Sequence, residues 1–136
     1  MYRIAVLAEQ DEKRKGCAEQ IARFCRQKGL FPQLEGYSNQ EPFFEDVQKA
    51  APTNAVIVLP GVAGLNAVEH LRSLCPGCGI IWCSDLDFSL QAFRLRVEYF
   101  LLEPVSAESF QQGLNIWFAN KDFPSNDSRG NDRRRT

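Results

Sequence analysis

The stretch AVIVLPGVAG, from Ala55 to Gly64, decides the fold. Its five apolar residues, Ala55–Leu59, lead directly into a Pro-Gly turn. A short apolar run that ends at such a turn is typical of a strand buried on both faces of a sheet. The carboxyl ends of these strands often carry catalytic or binding side chains. Here the run ends on Leu59, with no acid, hydroxyl or amide beside it.

Similar apolar runs lie on both sides of this stretch and alternate with segments of helical periodicity. The predicted strands are Tyr2–Leu7, Leu30–Tyr37, Ala55–Leu59, Gly79–Ser84 and Val97–Leu102. The second run contains Pro32, which cannot donate to a strand ladder, so this strand is expected at a sheet edge. The sequence therefore predicts an α/β fold with a flavodoxin-like, doubly wound, five-stranded parallel sheet in three layers, in the order 2-1-3-4-5.

Capping residues and apolar spacing predict the helix ends and the buried helix faces. Gly29 is expected to end the first helix, and Ser106 to cap the last. Ser38 and Glu41 have the spacing of a capping box for the second helix. The faces expected to be buried in the first, fourth and fifth helices are Cys17, Ile21, Phe24 and Cys25; Leu86, Leu90 and Phe93; and Phe110, Leu114, Trp117 and Phe118.

Composition indicates one ordinary globular domain. The chain has 136 residues, 44% of them hydrophobic and 24% charged, with a formal net charge of −1. This charge does not predict nucleic-acid or membrane-surface binding. The five cysteines, without a signal peptide or an apolar run of roughly 18 residues, predict free thiols and a cytoplasmic location. We expect a folded domain over residues 1–119 and a disordered polar tail or linker over residues 120–136.

Several motifs resemble a known family. The Pro-Gly-x-x-Gly turn at Pro60, the serine that ends strand 4, and the run QAFRLRVEYFLLEP (Gln91–Pro104) look like the second half of a response-regulator receiver domain of the CheY type. YRIAVLAEQDE, starting at Tyr2, resembles the beginning of the same domain. The resemblance covers about Tyr2 to Ala119, and the subtype that it is most similar to precedes LytTR DNA-binding domains in bacteria.

The resemblance implies specific site positions, and most of them have changed. Receivers accept a phosphoryl group on an aspartate after strand 3, with metal-binding acids after strand 1, a serine or threonine after strand 4 and a lysine before a proline. These positions fall on Ala8 and Glu9 for the acids, Leu59 for the acceptor (Val56 in an ungapped alignment), Ser84 for the hydroxyl and Glu103 for the lysine. Only the hydroxyl is fully kept. Ser84 could still bind a ligand, or it could cap a helix that starts near Asp85.

The changed positions predict a domain without phosphoryl chemistry. Neither aliphatic candidate can be phosphorylated, and Glu9 and Glu103 would face an incoming phosphoryl group without a lysine. We therefore expect a pseudo-receiver: a protein-interaction or regulatory module of bacterial two-component signalling, phosphorelay signal transduction or transcription regulation. No catalytic residue, metal or cofactor is expected. A receiver that is phosphorylated at an atypical residue remains an alternative.

The pair Cys75 and Cys78 leaves a second alternative open. Their C-x-x-C spacing could indicate a small flavodoxin-like redox or nucleotide-binding protein. The pair follows a helix and precedes a strand, with Pro-Gly at its centre, which favours a turn. A zinc site with His70 would lack a fourth ligand.

The family resemblance also implies a partner surface on helix 4, strand 5 and helix 5. If Leu86, Leu90 and Phe93 are buried, Phe88 becomes an exposed aromatic anchor. The residues expected on this surface are Phe88, Gln91, Arg94, Arg96, Glu98, Glu108, Gln112 and Asn115. Their mixed charges could be self-complementary in a homodimer, or could serve another protein partner. Phe100 takes the aromatic switch position of the family, and the bond before Pro104 is expected to be cis.

Overall fold

A computed structural model describes residues 2–120 of the chain. Strands and helices alternate through the whole of this range. The elements are β1 (Arg3–Ala8), α1 (Asp11–Gln27), β2 (Gln33–Tyr37), α2 (Gln40–Lys49), β3 (Asn54–Val58), α3 (Gly61–Leu74), β4 (Gly79–Ser84), α4 (Ser89–Arg94), β5 (Tyr99–Leu102) and α5 (Ala107–Asn120). The predicted tail lies outside the described residues, apart from Asn120, which ends α5. No helix among the described residues is long and apolar enough to span a membrane.

All five strands are parallel and form one sheet in the order β2-β1-β3-β4-β5, so the predicted fold class and strand order are confirmed. The edge position of β2 is also confirmed. This strand begins at Gln33, three residues later than Leu30, because the ladder can start only after Pro32. At the carboxyl edge, the register pairs Ala8 with Val58 and Val58 with Cys83.

The sheet separates two apolar layers, and the alternation of side chains along β3 divides its residues between them. Val56 and Val58 pack with α1 and α5, in a cluster that includes Phe110 and Trp117. Ile57 and Leu59 pack on the opposite layer, with α2, α3 and α4. Successive residues at the end of β3 therefore face different sides of the sheet.

Two of the three predicted helix ends are confirmed. Gly29 adopts a left-handed φ of 73° after α1, a conformation that glycine tolerates best. The backbone N–H of Ser109 donates to Ser106 Oγ at 3.1 Å. The capping box of Ser38 and Glu41 is wrong, because α2 begins at Gln40 and the residue before it is Asn39. Ser38 lies one residue too early to cap this helix.

The predicted orientation of α4 is also wrong. Leu86, Leu90 and Phe93 are exposed, Phe93 by 81%, whereas Ala92 is buried. The ring of Phe88, just before the helix, stacks on Trp82 with centroids 5.4 Å apart. Phe88, Ala92 and the partly buried Leu95 therefore form the inward face. The flat contact with the large Trp82 ring rotates the helix away from the orientation that apolar spacing alone suggests.

The segment Cys75–Cys78 forms the predicted turn, since the N–H of Cys78 donates to the carbonyl of Cys75 at 3.2 Å. The guanidinium of Arg72, which is only 7% exposed, donates to the carbonyls of Pro76 and Cys78 within this turn. It also donates to the carbonyls of Leu95 at 2.8 Å and Arg96 at 3.0 Å, after α4. Arg72 thus joins the turn to the segment between α4 and β5.

Candidate functional site

The carboxyl ends of β1, β3 and β4 meet at one edge of the sheet, where apolar side chains replace the expected acids. Ala8, at the metal-acid position of the family resemblance, is fully buried and pairs with Val58. Val58 pairs in turn with Cys83. Of the two positions expected to hold acids after β1, only Glu9 carries one, and its side chain is exposed.

Val58, which the sequence analysis did not consider as a site residue, is the last residue of β3 and lines a cleft with polar side chains. Val58 lines the same cleft as Glu103, on the α1 and α5 side of the sheet. Leu59 is 2% exposed on the other side, and Val56 is buried inside β3. Val58 could have been identified from the sequence by placing the end of β3 correctly and then alternating the side chains between the two faces of the sheet. All three residues are aliphatic, so none can accept a phosphoryl group.

Leu59 also fixes a short connection into the next helix. Only Leu59 and Pro60 separate β3 from α3. A Cβ on Gly64 would lie 2.7 Å from the carbonyl oxygen of Leu59, so a larger residue would displace this connection. Asp85 supports the same connection, because its carboxylate accepts the N–H of Gly61 at 2.8 Å. This contact ties the segment after β4 to the start of α3, and sequence reasoning missed it.

Glu103 is paired, which corrects the expectation that its carboxylate lacks a lysine partner. Lys13 Nζ, on the first turns of α1, donates to Glu103 Oε2 at 2.8 Å. Arg14 also lies near this edge: it donates to the carbonyl of Ala8 at 2.9 Å and to Asp11. The hydrogen bond from Arg14 lowers the pKa of the Asp11 carboxyl. Two of the acids near this edge therefore already have basic partners from α1.

Ser84 is fully buried, and its hydroxyl oxygen accepts the N–H of Leu86 at 3.1 Å. The alternative role expected for Ser84, capping a helix that starts near Asp85, is wrong because α4 begins only at Ser89. Ser84 closes a turn instead. The Glu103–Pro104 peptide bond is cis, as expected.

The cysteine pair does not have the environment of an activated redox thiol. Both cysteines of the turn are buried, and burial raises the pKa of Cys75. A thiol with a raised pKa is a poor nucleophile at neutral pH. His70 is exposed and contacts the ring of Phe44, with centroids 4.4 Å apart. Among residues 2–120, no group of three or more His, Cys, Asp or Glu side chains could hold a metal ion.

The surface of α4, β5 and α5 is present, but some of its expected members face inward. Phe88 is packed on Trp82, and Gln91 is half-buried. Glu98 accepts the N–H of Ile80 at 2.7 Å and lies 3.8 Å from Arg72. The exposed position expected for Phe88 is therefore wrong, and the carboxylate of Glu98 is engaged within the domain.

The remaining expected members are exposed, and they are accompanied by apolar residues. The exposed polar members are Arg94, Arg96, Glu108, Gln112 and Asn115. The exposed apolar residues on or near α4 and β5 are Leu86, Leu90, Phe93 and Leu102. We call these nine residues the α4–β5–α5 face. Phe100 lies behind it, edge-on to Trp82 with centroids 5.1 Å apart.

Solved structures resemble the chain over most of its length. A protein of Burkholderia pseudomallei described as related to pilus assembly matches with a TM-score of 0.69 and 19% identity, over 92% of this chain and 95% of its own. The BeF3-activated receiver domain of DrrB matches with a TM-score of 0.69 and 18% identity, over 88% and 99%. The NarL receiver domain of Mycobacterium tuberculosis matches with a TM-score of 0.66 and 16% identity, over 88% and 98%.

The chain has the fold of a response-regulator receiver domain. No family model matches the sequence, and no curated protein matches it significantly. At these identities, the similarity concerns the receiver fold, and kinship with the LytTR-associated receivers stays a prediction. The changes at the phosphorylation-site positions are read from this chain's own sequence and do not depend on these comparisons.

Proposed function

We propose that this chain is a pseudo-receiver: a receiver domain that acts without phosphorylation as a protein-interaction module in bacterial signalling or transcription regulation. It is a regulatory domain and not an enzyme, and a cytoplasmic location accords with this role. The observation that carries the proposal is the carboxyl edge of the sheet, where Val58 ends β3, Leu59 follows it, and Glu103 is bound to Lys13.

Phosphoryl transfer to a carboxylate needs a nucleophilic acid, a bound divalent cation and positive charge that stabilises the transferred group. The acid is missing from the end of β3. Ala8 cannot contribute an oxygen ligand for the cation. The position that the family resemblance assigns to the lysine carries the negative side chain of Glu103. Three independent requirements are thus unmet, whereas a single substitution would leave the rest of the machinery in place.

The α4–β5–α5 face supports the interaction role. Phe93 is 81% exposed and Leu90 is 58% exposed, although both are large apolar side chains. Clustered exposed apolar residues with a charged surround are typical of protein-binding surfaces. Arg94 and Arg96 provide positive charge on this face, and Glu108 on α5 provides negative charge. Such a face can bind a second copy of the chain about a two-fold axis, or another protein of the pathway.

Self-association through this face is tested by sedimentation velocity over a concentration series. We expect the wild-type chain to form a dimer, and Phe93→Ser to weaken it by about tenfold or more, because an exposed aromatic anchor is lost. Phe31→Ser is the matched control, since Phe31 is also 81% exposed but lies before β2. Its dimer should be as stable as that of the wild type.

Charge reversal tests the geometry of the same contact. Arg94→Glu should weaken the dimer, and adding Glu108→Arg to it should restore part of the loss if the two residues meet across the axis. A wild-type chain that stays monomeric at every concentration would rule out the dimer. Equal effects of Phe93→Ser and Phe31→Ser would rule out this face as its interface.

A further inference from the structure

A cleft of about 590 Å³ opens beside the carboxyl edge of the sheet, between α1 and α5. Its lining residues come from β3, β4, both helices and the segment that contains the cis proline. They are Lys13, Gly16, Cys17, Gln20, Val58, Cys83, Glu103, Pro104, Val105 and Phe110. Pockets of roughly 300–1,000 Å³ hold small organic ligands in other proteins. The cleft is distinct from the α4–β5–α5 face.

Gly16 lies on the wall of the cleft and adds to its open space. This glycine lies in the middle of α1, where it costs about 1 kcal/mol relative to alanine. A Cβ at Gly16 would have no atom of the described chain within 4 Å, so no close contact requires the glycine. Gly113 of α5 differs, because a Cβ there would lie 3.0 Å from the ring of Tyr99. The missing side chain at Gly16 therefore leaves space that belongs to the cleft.

The interior of the cleft is mainly apolar, and its polar side chains are those of Lys13, Gln20 and Glu103. Val58, Cys83 and Phe110 are buried and contribute hydrocarbon and thiol surface. Burial raises the pKa of Cys17 to about 11, so this thiol is neutral at physiological pH. The pair of Lys13 and Glu103 supplies the charged groups of the lining. A lysine ammonium has three donors, and Glu103 accepts from one of them.

We propose that this cleft binds a small organic acid, with an apolar body in the interior and a single carboxylate against Lys13. The apolar interior excludes highly polar ligands such as sugars, whose hydroxyl groups would lose their hydrogen bonds there. The ammonium of Lys13 favours a negative group, and its 41% side-chain exposure leaves room for one to approach.

The test titrates the wild-type chain with 1-naphthylacetate and follows amide and methyl signals by NMR. We expect saturable shifts of Val58, Val105 and Phe110, with a dissociation constant below about 1 mM. The neutral analogue 2-(1-naphthyl)ethanol should bind the same residues about two- to fivefold more weakly, because it lacks the charge that Lys13 recognises. No shift at these residues, or equally strong binding of both probes, would overturn the proposal.

Two variants separate the site from general apolar binding. Gly16→Leu should fill the cleft and weaken binding by about tenfold or more, while it keeps or raises the melting temperature because leucine favours a helix. Glu19→Leu, on the exposed side of α1, is the matched control and should bind normally. Lys13→Met should remove the preference for the acid and leave binding of the alcohol unchanged. An acid preference that survives Lys13→Met, or normal binding by a folded Gly16→Leu, would contradict the assignment.

Discussion

Arg72→Met is expected to destabilise the domain more than any exposed charge substitution, because this guanidinium joins two segments through backbone carbonyls. Methionine keeps much of the apolar stem and removes every donor. The substitution breaks hydrogen bonds to Cys78 at 2.7 Å and Pro76 at 3.0 Å, on one side, and to Leu95 and Arg96 on the other. It also removes the cation that lies 3.8 Å from the Glu98 carboxylate.

The cost follows from the burial of these groups. A hydrogen bond to a charged group contributes about 1.5–3 kcal/mol, and hydration of the freed carbonyls recovers part of this. Removing one partner of a buried charged network costs about 3–5 kcal/mol. Arg72 is 7% exposed, so we expect the free energy of unfolding to fall by about 3–5 kcal/mol, a large share of the roughly 5–15 kcal/mol of a typical domain.

Urea denaturation measures this loss directly. Arg23→Met is the matched control, because Arg23 is exposed on α1, outside the α4–β5–α5 face, and its substitution should change stability by less than about 0.5 kcal/mol. Amide signals of the segment between α4 and β5 should also shift in Arg72→Met, since Arg72 holds the carbonyls of Leu95 and Arg96 there. A loss below about 1 kcal/mol would show that these bonds are replaced by water at little cost, and would refute the reasoning.

Three other predictions concern the edge, the thiols and the turn. Leu59→Ala should lower the free energy of unfolding, measured by urea denaturation, by about 2–5 kcal/mol. Leu86→Ala should lower it much less, since Leu86 is 49% exposed, and equal losses would contradict the buried position of Leu59. Burial raises the pKa of Cys17 from 9.0 to about 11, so the unfolded chain loses its proton first and stability should fall from pH 9 to pH 11. This fall should be shallower in Cys17→Ala, and an identical profile would argue against a buried thiol. Cys75 should react with iodoacetamide at pH 8 more slowly in the native chain than in urea, whereas faster native labelling would favour the redox alternative.

The sheet could be predicted from the sequence because its signals are local. Each strand is a short apolar run between turn residues, and Pro32 alone identifies the edge strand. The orientation of α4 could not be predicted in the same way. It depends on the contact between Phe88 and Trp82, which belong to different elements, and this contact outweighs the apolar spacing of Leu90 and Phe93.

The changed site was visible in the sequence only in part. The sequence alone shows that no acid lies near Leu59. Which side chain faces the cleft depends on where β3 ends, because a shift of one residue moves a side chain to the other face of the sheet. The pair of Lys13 and Glu103 joins residues that are 90 positions apart, so spacing carries no sign of it. The structural role of Arg72 could not be predicted either, since a charged residue on α3 is expected to be exposed to solvent unless its carbonyl partners are known.

The central claim, that this receiver fold acts without phosphorylation, is tested most directly by intact mass spectrometry after incubation with acetyl phosphate and Mg²⁺. A receiver domain known to be activated, such as that of DrrB, serves as the positive control under the same conditions. The account predicts that the mass of the wild-type chain stays unchanged while the control gains a phosphoryl group. A stoichiometric gain of one phosphoryl group, mapped to a single carboxylate such as Asp85, would contradict it.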